Sequence, residues 1–244
     1  MKRLIVTADD VGLHRGMTEG AIRAHREGIV TACSIVANGR AFDDAVARLR
    51  DVPSLEAGVH MTLVEEESLT GIRLPESWRS FRPWTEVGGE LRAQIEKVLA
   101  TGLPVTHLNT HQHLHAWPHV NAIVQQLSRE YGIGYVRRVD DRGGHGGPMR
   151  RVAISMLNRI GRKAAGTNDR TIGVMQAGRL TDIKPLLAYV DGVTELVTHP
   201  GVGVDGYAHW HYDWEAETRA LCDPDLREEL RRRSIELIAP SALL

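Results

Sequence analysis

The stretch Arg3-Leu4-Ile5-Val6-Thr7-Ala8-Asp9-Asp10 places two carboxylates directly after a short β-branched run. Three further short runs end in chemically active side chains: Gly58-Val59-His60, Thr110-His111-Gln112-His113-Leu114-His115 and Thr198-His199-Pro200. Side chains at the carboxyl ends of parallel strands converge on one face of a fold. We therefore predict that the four segments meet at one site.

Strand-like and helix-like segments alternate along the chain. Strands are predicted at residues 3–8, 30–36, 55–63, 105–109, 133–136, 171–175 and 193–197. Helices are predicted at residues 16–27, 42–49, 91–99, 120–131, 152–160 and 183–190, with residues 215–237 mostly helical. Seven βα-type repeats favour a parallel, barrel-like α/β fold over an open sheet, although the pattern leaves barrel closure open.

Two stretches interrupt the alternation, near residues 65–90 and 139–150. The first mixes prolines and tryptophans with polar residues, and the second contains four glycines. Long ordered loops tend to line functional sites, so we expect both near the mouth of the barrel, with surface insertions as the alternative. A length of 244 residues with 42% hydrophobic side chains suits one large α/β domain, which we place at residues 1–244.

Charge and cysteine content narrow the class of partner and the compartment. A net charge of −1 provides no general attraction for nucleic acid or anionic lipid, so neither is a predicted partner. The apolar run near Met1 stops at Asp9, too short for a signal peptide, and we see no integral membrane segment. Cys33 and Cys222 are typical of reduced thiols rather than a disulfide. We expect a cytoplasmic protein.

The carboxylate pair and the first histidine suggest a metal site. Neighbouring residues on a strand point in opposite directions, so one of Asp9 and Asp10 could bind a cation while the other faces water. Asp10 could instead cap a helix. His60 ends an apolar run, where an imidazole is costly unless paired, and a hydrogen-bonded core histidine is the alternative. Together the four segments are typical of a one-metal hydrolase, which needs ligands, a base and an acid.

The densest histidine cluster follows the predicted strand at residues 105–109. If this tract is extended, His111, His113 and His115 share a face, whereas on a helix only His111 and His115 align. A solvated histidine-rich loop is the alternative. A one-metal site keeps positions open for substrate and water. We therefore expect His111 to bind the metal and His113 and His115 to contact substrate or support the ligands.

Three further side chains are candidates for catalysis or substrate binding. His199 sits where a strand opens into a Pro-Gly turn and is the candidate general acid, with a structural turn histidine as the alternative. Arg137 could orient a carboxylate through a bidentate pair, unless it is a surface arginine. Trp210 belongs to an aromatic group at residues 209–214, which suggests either a sugar-stacking wall or a helix-packing patch.

Five ordered motifs resemble the YdjC-like carbohydrate deacetylases from residue 3 to about residue 238: residues 5–13, 28–31, 58–60, 106–115 and 198–201. Residues 173–180 and 193–196 are most similar to the hopanoid-biosynthesis-associated branch of that family. The resemblance implies a distorted, TIM-barrel-like (β/α) barrel of the glycoside hydrolase/deacetylase type. It also implies one divalent metal ion, a substrate that is an N-acetylated oligosaccharide or lipid-linked amino sugar, and a homodimer.

Position by position, the resemblance also implies roles. The implied metal ligands are Asp10, His60 and His111, with Asp9 as the base, His199 as the acid and Arg137 orienting the catalytic carboxylate. The chain departs from the family pattern in having Val11 in place of the usual Phe, Gln112 in place of a frequent His, and Val139 in place of a common Pro. These departures affect the pocket wall and the loop after the arginine, and therefore substrate choice more than activity.

Other functions compete with deacetylation. A set of one Asp and two His suits zinc or magnesium among other divalent ions. The rival functions are hydrolysis of another amide or a glycosidic bond, non-catalytic sugar binding, and metal storage. A glycosidase needs two carboxylates about 5 to 10 Å apart, and the adjacency of Asp9 and Asp10 argues that a metal occupies one of them. Neither a sugar-binding protein nor a metal store needs a base or an acid at a strand end.

Overall fold

A computed structural model of the chain describes residues 1–72, 84–139 and 167–244. These residues contain eight strands: β1 (Lys2–Val11), β2 (Ala32–Ile35), β3 (Glu56–Met61), β4 (Val105–Thr110), β5 (Tyr135–Val136), β6 (Arg170–Ile172), β7 (Val193–Thr198) and β8 (Ile235–Leu237). Every pairing between them is parallel, in the order β5-β4-β3-β2-β1-β7-β6. β8 pairs with the first residues of β1, below the point where β2 begins.

Helices cover this sheet and connect its strands. The described residues contain α1 (Arg15–Arg26), α2 (Phe42–Arg50), α3 (Trp84–Leu99), α4 (Pro118–Tyr131), α5 (Trp214–Leu221) and α6 (Leu226–Arg232). α4 shows why they begin and end where they do, because Pro118 supplies a fixed φ at its start and Gly132 ends it at φ 66°. None of the helices in these ranges is long and apolar enough to cross a membrane.

β1 is the centre of the molecule. All its residues from Leu4 to Val11 are buried, and it pairs with β2, β7 and β8. Continuous burial is expected of a parallel strand that is covered on both faces. The predicted fold class is therefore confirmed: the chain forms a parallel α/β half-barrel, consistent with a distorted (β/α) barrel.

Several predicted boundaries are wrong. The loop placed near residues 65–90 ends earlier, because α3 begins at Trp84 rather than at the predicted residue 91. The strand predicted to reach residue 175 stops at Ile172, where Gly173 turns the chain at φ 90°. Residues 183–190 form only a short 3-10 turn, Leu186–Tyr189, which begins directly after Pro185, a residue with no backbone N–H to donate.

The C-terminal prediction also needs correction. Residues 215–237, predicted as mostly helix, contain α5 and α6, separated by a break that includes Pro224, and then β8. Ser234, at φ 54°, turns the chain from α6 into β8. The predicted helix at residues 152–160 and the predicted insertion at 139–150, apart from Val139, lie outside the described residues.

Side-chain hydrogen bonds, chiefly those of Asn168, bridge the two outer strands of the sheet. No ladder joins β5 to β6 within the described ranges, and Asn168, 1% exposed, fills that position. Its Oδ1 accepts from the backbone N–H of Arg138 at 2.7 Å, and its Nδ2 donates to the carbonyls of Arg138 and Arg170 at 2.8 and 2.7 Å. The Asn168 amide therefore substitutes for a strand–strand ladder at this seam.

Replacing Asn168 by Ala should lower the free energy of unfolding by about 3 kcal/mol, because it removes the amide's hydrogen bonds to the Arg138 N–H and to the Arg170 carbonyl. Urea denaturation measures this loss. Asn121→Ala is the matched control, since Asn121 is half-buried and donates to one carbonyl, that of His115, at 3.0 Å. An equal loss of unfolding free energy in both variants would contradict a special role for Asn168 at the β5–β6 seam.

Candidate active site

The Asp9–Asp10 pair sits at an irregularity in β1. The strand does not stop at Ala8 but continues to Val11, with a register shift against β2 between Ala8 and Val11. Asp10 adopts φ 63°, a left-handed conformation that Asp tolerates better than most residues. A regular strand would point the two side chains to opposite faces. Here both carboxylates lie beside the same imidazole, that of His60.

Asp10, His60 and His111 form a compact buried triad. Asp10 Oδ1 lies 3.2 Å from His60 Nε2 and 2.9 Å from His111 Nδ1, and the three ligand atoms all lie within 4.8 Å of one another. Burial raises the pKa of Asp10, but the charges and hydrogen bonds of His111 and His60 outweigh it and hold that pKa well below its usual range.

The triad suits a divalent cation. Its donors are one carboxylate and two imidazoles from three different strand ends, a set that zinc and similar ions accept. Asp10 Oδ2 is buried without a hydrogen-bond partner, which is costly for a carboxylate oxygen. A bound cation would remove that cost. Asp10 is not a helix cap, because His14 Nδ1 accepts from Gly16 N at the start of α1.

A polar layer beneath the triad orients His60. Its Nδ1 lies 2.6 Å from the amide oxygen of Asn109, which can only accept, so Nδ1 carries the proton and Nε2 faces Asp10. Asn109 Nδ2 donates to Ser34 Oγ at 2.7 Å, and that hydroxyl in turn lies 3.1 Å from His107 Nε2. Hydrogen bonds to the non-coordinating ring nitrogen are a general device for fixing metal-binding histidines.

His107 belongs to this support rather than to the cavity. Burial is the main cause that lowers its pKa, to about 3, so the ring is neutral. Gly58 on β3 makes the ring's position possible, since a Cβ there would lie 2.3 Å from His107 Nε2. The Gly58-Val59-His60 segment therefore supplies one candidate ligand and the space for the layer below it.

Asp9 has different surroundings from Asp10. Arg137 Nη1 and Nη2 donate to its two carboxylate oxygens at 2.6 and 2.8 Å, while Arg137 Nε donates to Glu195 at 2.8 Å. Burial raises the pKa of Asp9, but Arg137 and nearby imidazoles reverse the shift and hold that pKa well below its usual range. Glu195 also accepts from Thr7 Oγ1 and Tyr135 OH at 2.7 Å each. Sequence reasoning missed Glu195.

His199 faces the triad from β7's end, and a buried glutamate lies behind it. Its Nε2 is 3.9 Å from Asp10 Oδ2, and its backbone N–H donates to Glu217 Oε1 at 2.6 Å. Burial lowers the pKa of His199, and it raises the pKa of Glu217 on α5 to about 8. Among the described residues, neither His199 Nδ1 nor Glu217 Oε2 has a hydrogen-bond partner, and both atoms are buried. Glu217 is a second residue that the sequence analysis missed.

The histidine tract is neither extended nor regularly helical. Residues His111–Ala116 form a 3-10 segment that is interrupted where Gln112 and His113 adopt φ 51° and 54°. His113 lines the cavity above the triad, whereas His115 is 1% exposed, does not line it, and lies 2.7 Å from Thr110 Oγ1. Burial lowers the pKa of both rings. His119 lies away from the triad, stacked on Trp84.

A cavity of about 360 Å³ opens above these groups. Its lining residues are Asp9, His60, Glu65, His111, Gln112, His113, Val174, Ala177, His199, Trp210 and Tyr212. Trp210 stacks on His111, with ring centroids 5.3 Å apart and planes inclined by 27°. Tyr212 meets the His199 ring edge-on at 5.4 Å. The cavity therefore has a polar floor and one aromatic wall.

The missed residues carried only weak signals in the sequence. Glu195 stands inside the apolar run of β7 and Asn109 inside β4, where an isolated polar residue indicates an unseen buried partner. Glu217 stands three residues after Trp214 and four before Leu221, on the apolar face of α5, whereas Glu215 is exposed. This helical spacing was the signal that could have identified Glu217 as buried.

The chain is similar to one described family and to several carbohydrate deacetylases. Residues 3–232 match the profile of the family described as YdjC-like protein. A carbohydrate deacetylase of Oceanobacillus iheyensis is 33% identical over 144 residues, which cover 54% of this chain and 63% of that protein. A carbohydrate deacetylase of Vibrio campbellii is 26% identical over 99% of this chain and 96% of its own length.

One solved structure shares the fold over the whole chain. The crystal structure of a proposed cellobiose-phosphate cleavage protein from Enterococcus faecalis V583 gives a TM-score of 0.78 at 22% identity, covering 99% of this chain and 98% of that one. At this identity the likeness supports the architecture and says nothing about the reaction.

Replacing Glu217 by Gln should change how stability depends on pH. The pKa of Glu217 is about 8 in the folded protein against an ordinary value of 4.5, so its burial costs nothing below pH 4.5 and destabilises progressively as pH rises to 8. The Gln variant escapes this cost. Between pH 4.5 and 8.5, the free energy of unfolding of the Gln variant should rise by roughly 3–5 kcal/mol relative to that of wild type, as measured by urea denaturation. Glu215→Gln, on the exposed face of α5, should show no such trend, and a similar trend in both variants would contradict the prediction.

Proposed function

The chain belongs to the YdjC-like family, and from this membership and the geometry of its site we propose that it is a carbohydrate deacetylase. The reaction is hydrolysis of the acetamide of an N-acetylated sugar to a free amine and acetate. One observation carries the proposal: the Asp10–His60–His111 triad, an arginine-held carboxylate and a third imidazole converge on one cavity. Such a group provides cation ligands, a base and an acid.

We propose that Asp10, His60 and His111 hold one divalent metal ion, zinc or magnesium. When bound, such an ion polarises the acetamide carbonyl and acidifies water, which is the assistance that a base as weak as Asp9 requires. The supporting evidence is the donor set, the unpartnered Asp10 Oδ2 and the hydrogen bond that fixes His60 through Asn109.

In this proposal Asp9 accepts a proton from the attacking water. Arg137 engages both of its oxygens, but each oxygen has a second lone pair, so acceptor capacity remains. The bidentate pair fixes the direction in which Asp9 can accept. It also keeps Asp9 ionised at neutral pH, because it holds the pKa of that carboxyl well below its usual range.

His199 is the proposed acid that protonates the leaving nitrogen. An amine leaves poorly as an anion, so a placed proton donor should contribute about 100- to 10,000-fold. His199 lines the same cavity as His60 and His111, and its Nε2 lies 3.9 Å from Asp10 Oδ2. We propose that His113 contacts the substrate and that Trp210 and Tyr212 pack against the sugar ring. His115, which lies below the cavity, would act only by holding the end of β4 through Thr110.

The finer parts of the proposal concern the substrate and the assembly. The similarity of residues 173–180 and 193–196 to the hopanoid-associated branch leads us to propose a lipid-linked amino sugar beside soluble oligosaccharides as substrate. We also propose one domain over residues 1–244, a cytoplasmic location and a homodimer. Sedimentation velocity tests the homodimer.

Acetate release from N-acetylglucosamine oligosaccharides tests the activity. Asp9→Asn and His199→Ala should each lower turnover by about 100-fold or more while leaving metal content unchanged, since both residues act on protons. His211→Ala is the matched control for His199, because His211 is an exposed histidine outside the cavity lining. A fully active His199→Ala enzyme would overturn the acid assignment.

Metal content of unsupplemented protein, measured by mass spectrometry, tests the ligand set. His60→Ala should lose both metal and activity. Asn109→Ala should bind metal about 10- to 100-fold more weakly, because the amide oxygen that fixes the His60 tautomer is gone. Chelation should abolish wild-type acetate release and one divalent ion should restore it. Unchanged metal content in His60→Ala would contradict the site.

A further inference from the structure

Glu65 forms part of the cavity mouth in a strained conformation. It lines the same cavity as Asp9 and His199 and adopts φ 72°, in the left-handed region that few non-glycine residues occupy. A conformation of this kind costs about 1 to 3 kcal/mol and persists only where the surroundings enforce it. The contacts of the loop at residues 62–70 show what enforces it.

Two buried side chains of α3 hold the ends of that loop. Gln94 accepts from the backbone N–H of Thr62 at 2.8 Å and donates to its carbonyl at 2.7 Å. Glu90 accepts from the backbone N–H groups of Leu69 and Thr70 at 3.0 and 2.8 Å. Glu65 is therefore carried on a loop whose two ends are fixed.

The middle of the loop is tied to the opposite rim of the cavity. Glu66, with a side chain only 6% exposed, accepts from Tyr207 OH at 2.8 Å and lies 3.5 Å from Arg40 Nε. The side chain of Glu66 points toward Tyr207 and Arg40. The side chain of its neighbour Glu65 points toward the cavity.

The Glu65 carboxylate retains free acceptor capacity. Its contacts among the described residues are long, at 3.4 Å to His209 Nε2 and 3.5 Å to Gln112 Nε2, and its side chain is 27% exposed. An ionised carboxylate accepts about four hydrogen bonds. The guanidinium of Arg40 is paired with the neighbouring Glu66. The described part of the mouth therefore presents hydrogen-bond acceptors and negative charge to a bound ligand.

Two other features indicate that the cavity takes a polar ligand. His113 lines the cavity, and its buried Nδ1 has no hydrogen-bond partner among the described residues. Trp210 also lines the cavity, with its ring stacked on His111. An aromatic wall beside a carboxylate acceptor complements a hydroxyl-rich, uncharged ring. A phosphoryl group, with a charge of about −1.5 to −2, would meet Glu65 as a like charge.

We infer that Glu65 is a specificity-determining residue, which accepts hydrogen bonds from hydroxyls at the substrate end remote from the acetamide and disfavours phosphorylated sugars. The substrate class is then an uncharged N-acetylated amino sugar. The inference rests on the proposed deacetylase function. Because Glu65 acts on selectivity in binding, replacing it should change KM more than kcat.

A matched pair of sugars tests it: the N-acetylglucosamine disaccharide, and the same disaccharide carrying a 6-phosphate on the ring away from the scissile acetamide. Metal-loaded wild type should show kcat/KM for acetate release about tenfold or more higher for the uncharged sugar. Glu65→Gln keeps one acceptor oxygen and removes the charge. In this variant kcat/KM for the two sugars should differ by no more than about threefold, and the difference from wild type should lie in KM. Glu67→Gln, at an exposed position outside the cavity lining, should keep the wild-type ratio. A wild type that prefers the phosphorylated sugar, or an unchanged ratio in Glu65→Gln, would overturn the inference.

Titration calorimetry with both sugars separates this inference from the deacetylase proposal. If neither sugar releases acetate but wild type binds the uncharged one more tightly, and Glu65→Gln abolishes the difference, the selectivity role stands and the deacetylase proposal fails. If both sugars release acetate with equal kcat/KM, the deacetylase proposal stands and the role of Glu65 is overturned. If neither sugar binds, both are overturned.

Discussion

The buried guanidinium of Arg137 is the interaction on which the site depends. Its side chain is fully buried and it binds Asp9 through two nitrogens and Glu195 through the third. A buried cation of this kind is tolerable only when carboxylates surround it, and losing one partner typically costs about 3 to 5 kcal/mol. Asp9 lies on β1, Glu195 on β7, and Arg137 directly after β5. The pairing thus joins the centre of the sheet to its outer strand and sets where the carboxyl ends of these strands lie.

The same interaction explains how two adjacent aspartates acquire different chemistry. Asp9 is surrounded by a guanidinium and Asp10 by imidazoles, although one peptide bond separates them. The left-handed conformation of Asp10 places both carboxylates beside the ring of His60. The strained backbone of Asp10 therefore lies within the candidate metal site, and strained residues are common at active sites.

Strand-end reasoning located Asp9, Asp10, His60, His111 and His199 because it uses only local periodicity and the geometry of parallel sheets. It failed for Glu195, Glu217 and Asn168, whose roles depend on partners far along the chain. Asn168 is an unremarkable polar residue until Arg138 and Arg170 are brought beside it. β8 was missed for the same reason, since three residues after a helix carry no strand signal until β1 is available to pair with them.

The position of β1 has a consequence for the order of assembly. β1 is the first strand in the chain, yet its neighbours on one side and at its base, β7 and β8, come last. The hydrogen bond from Thr198 Oγ1 to the Thr7 carbonyl spans 191 positions. Contacts this distant raise the entropic cost of the folding nucleus and slow its formation. During synthesis the backbone N–H and C=O groups along this edge of β1 therefore stay unpaired until β7 has been made, which exposes the nascent chain to aggregation by strand pairing.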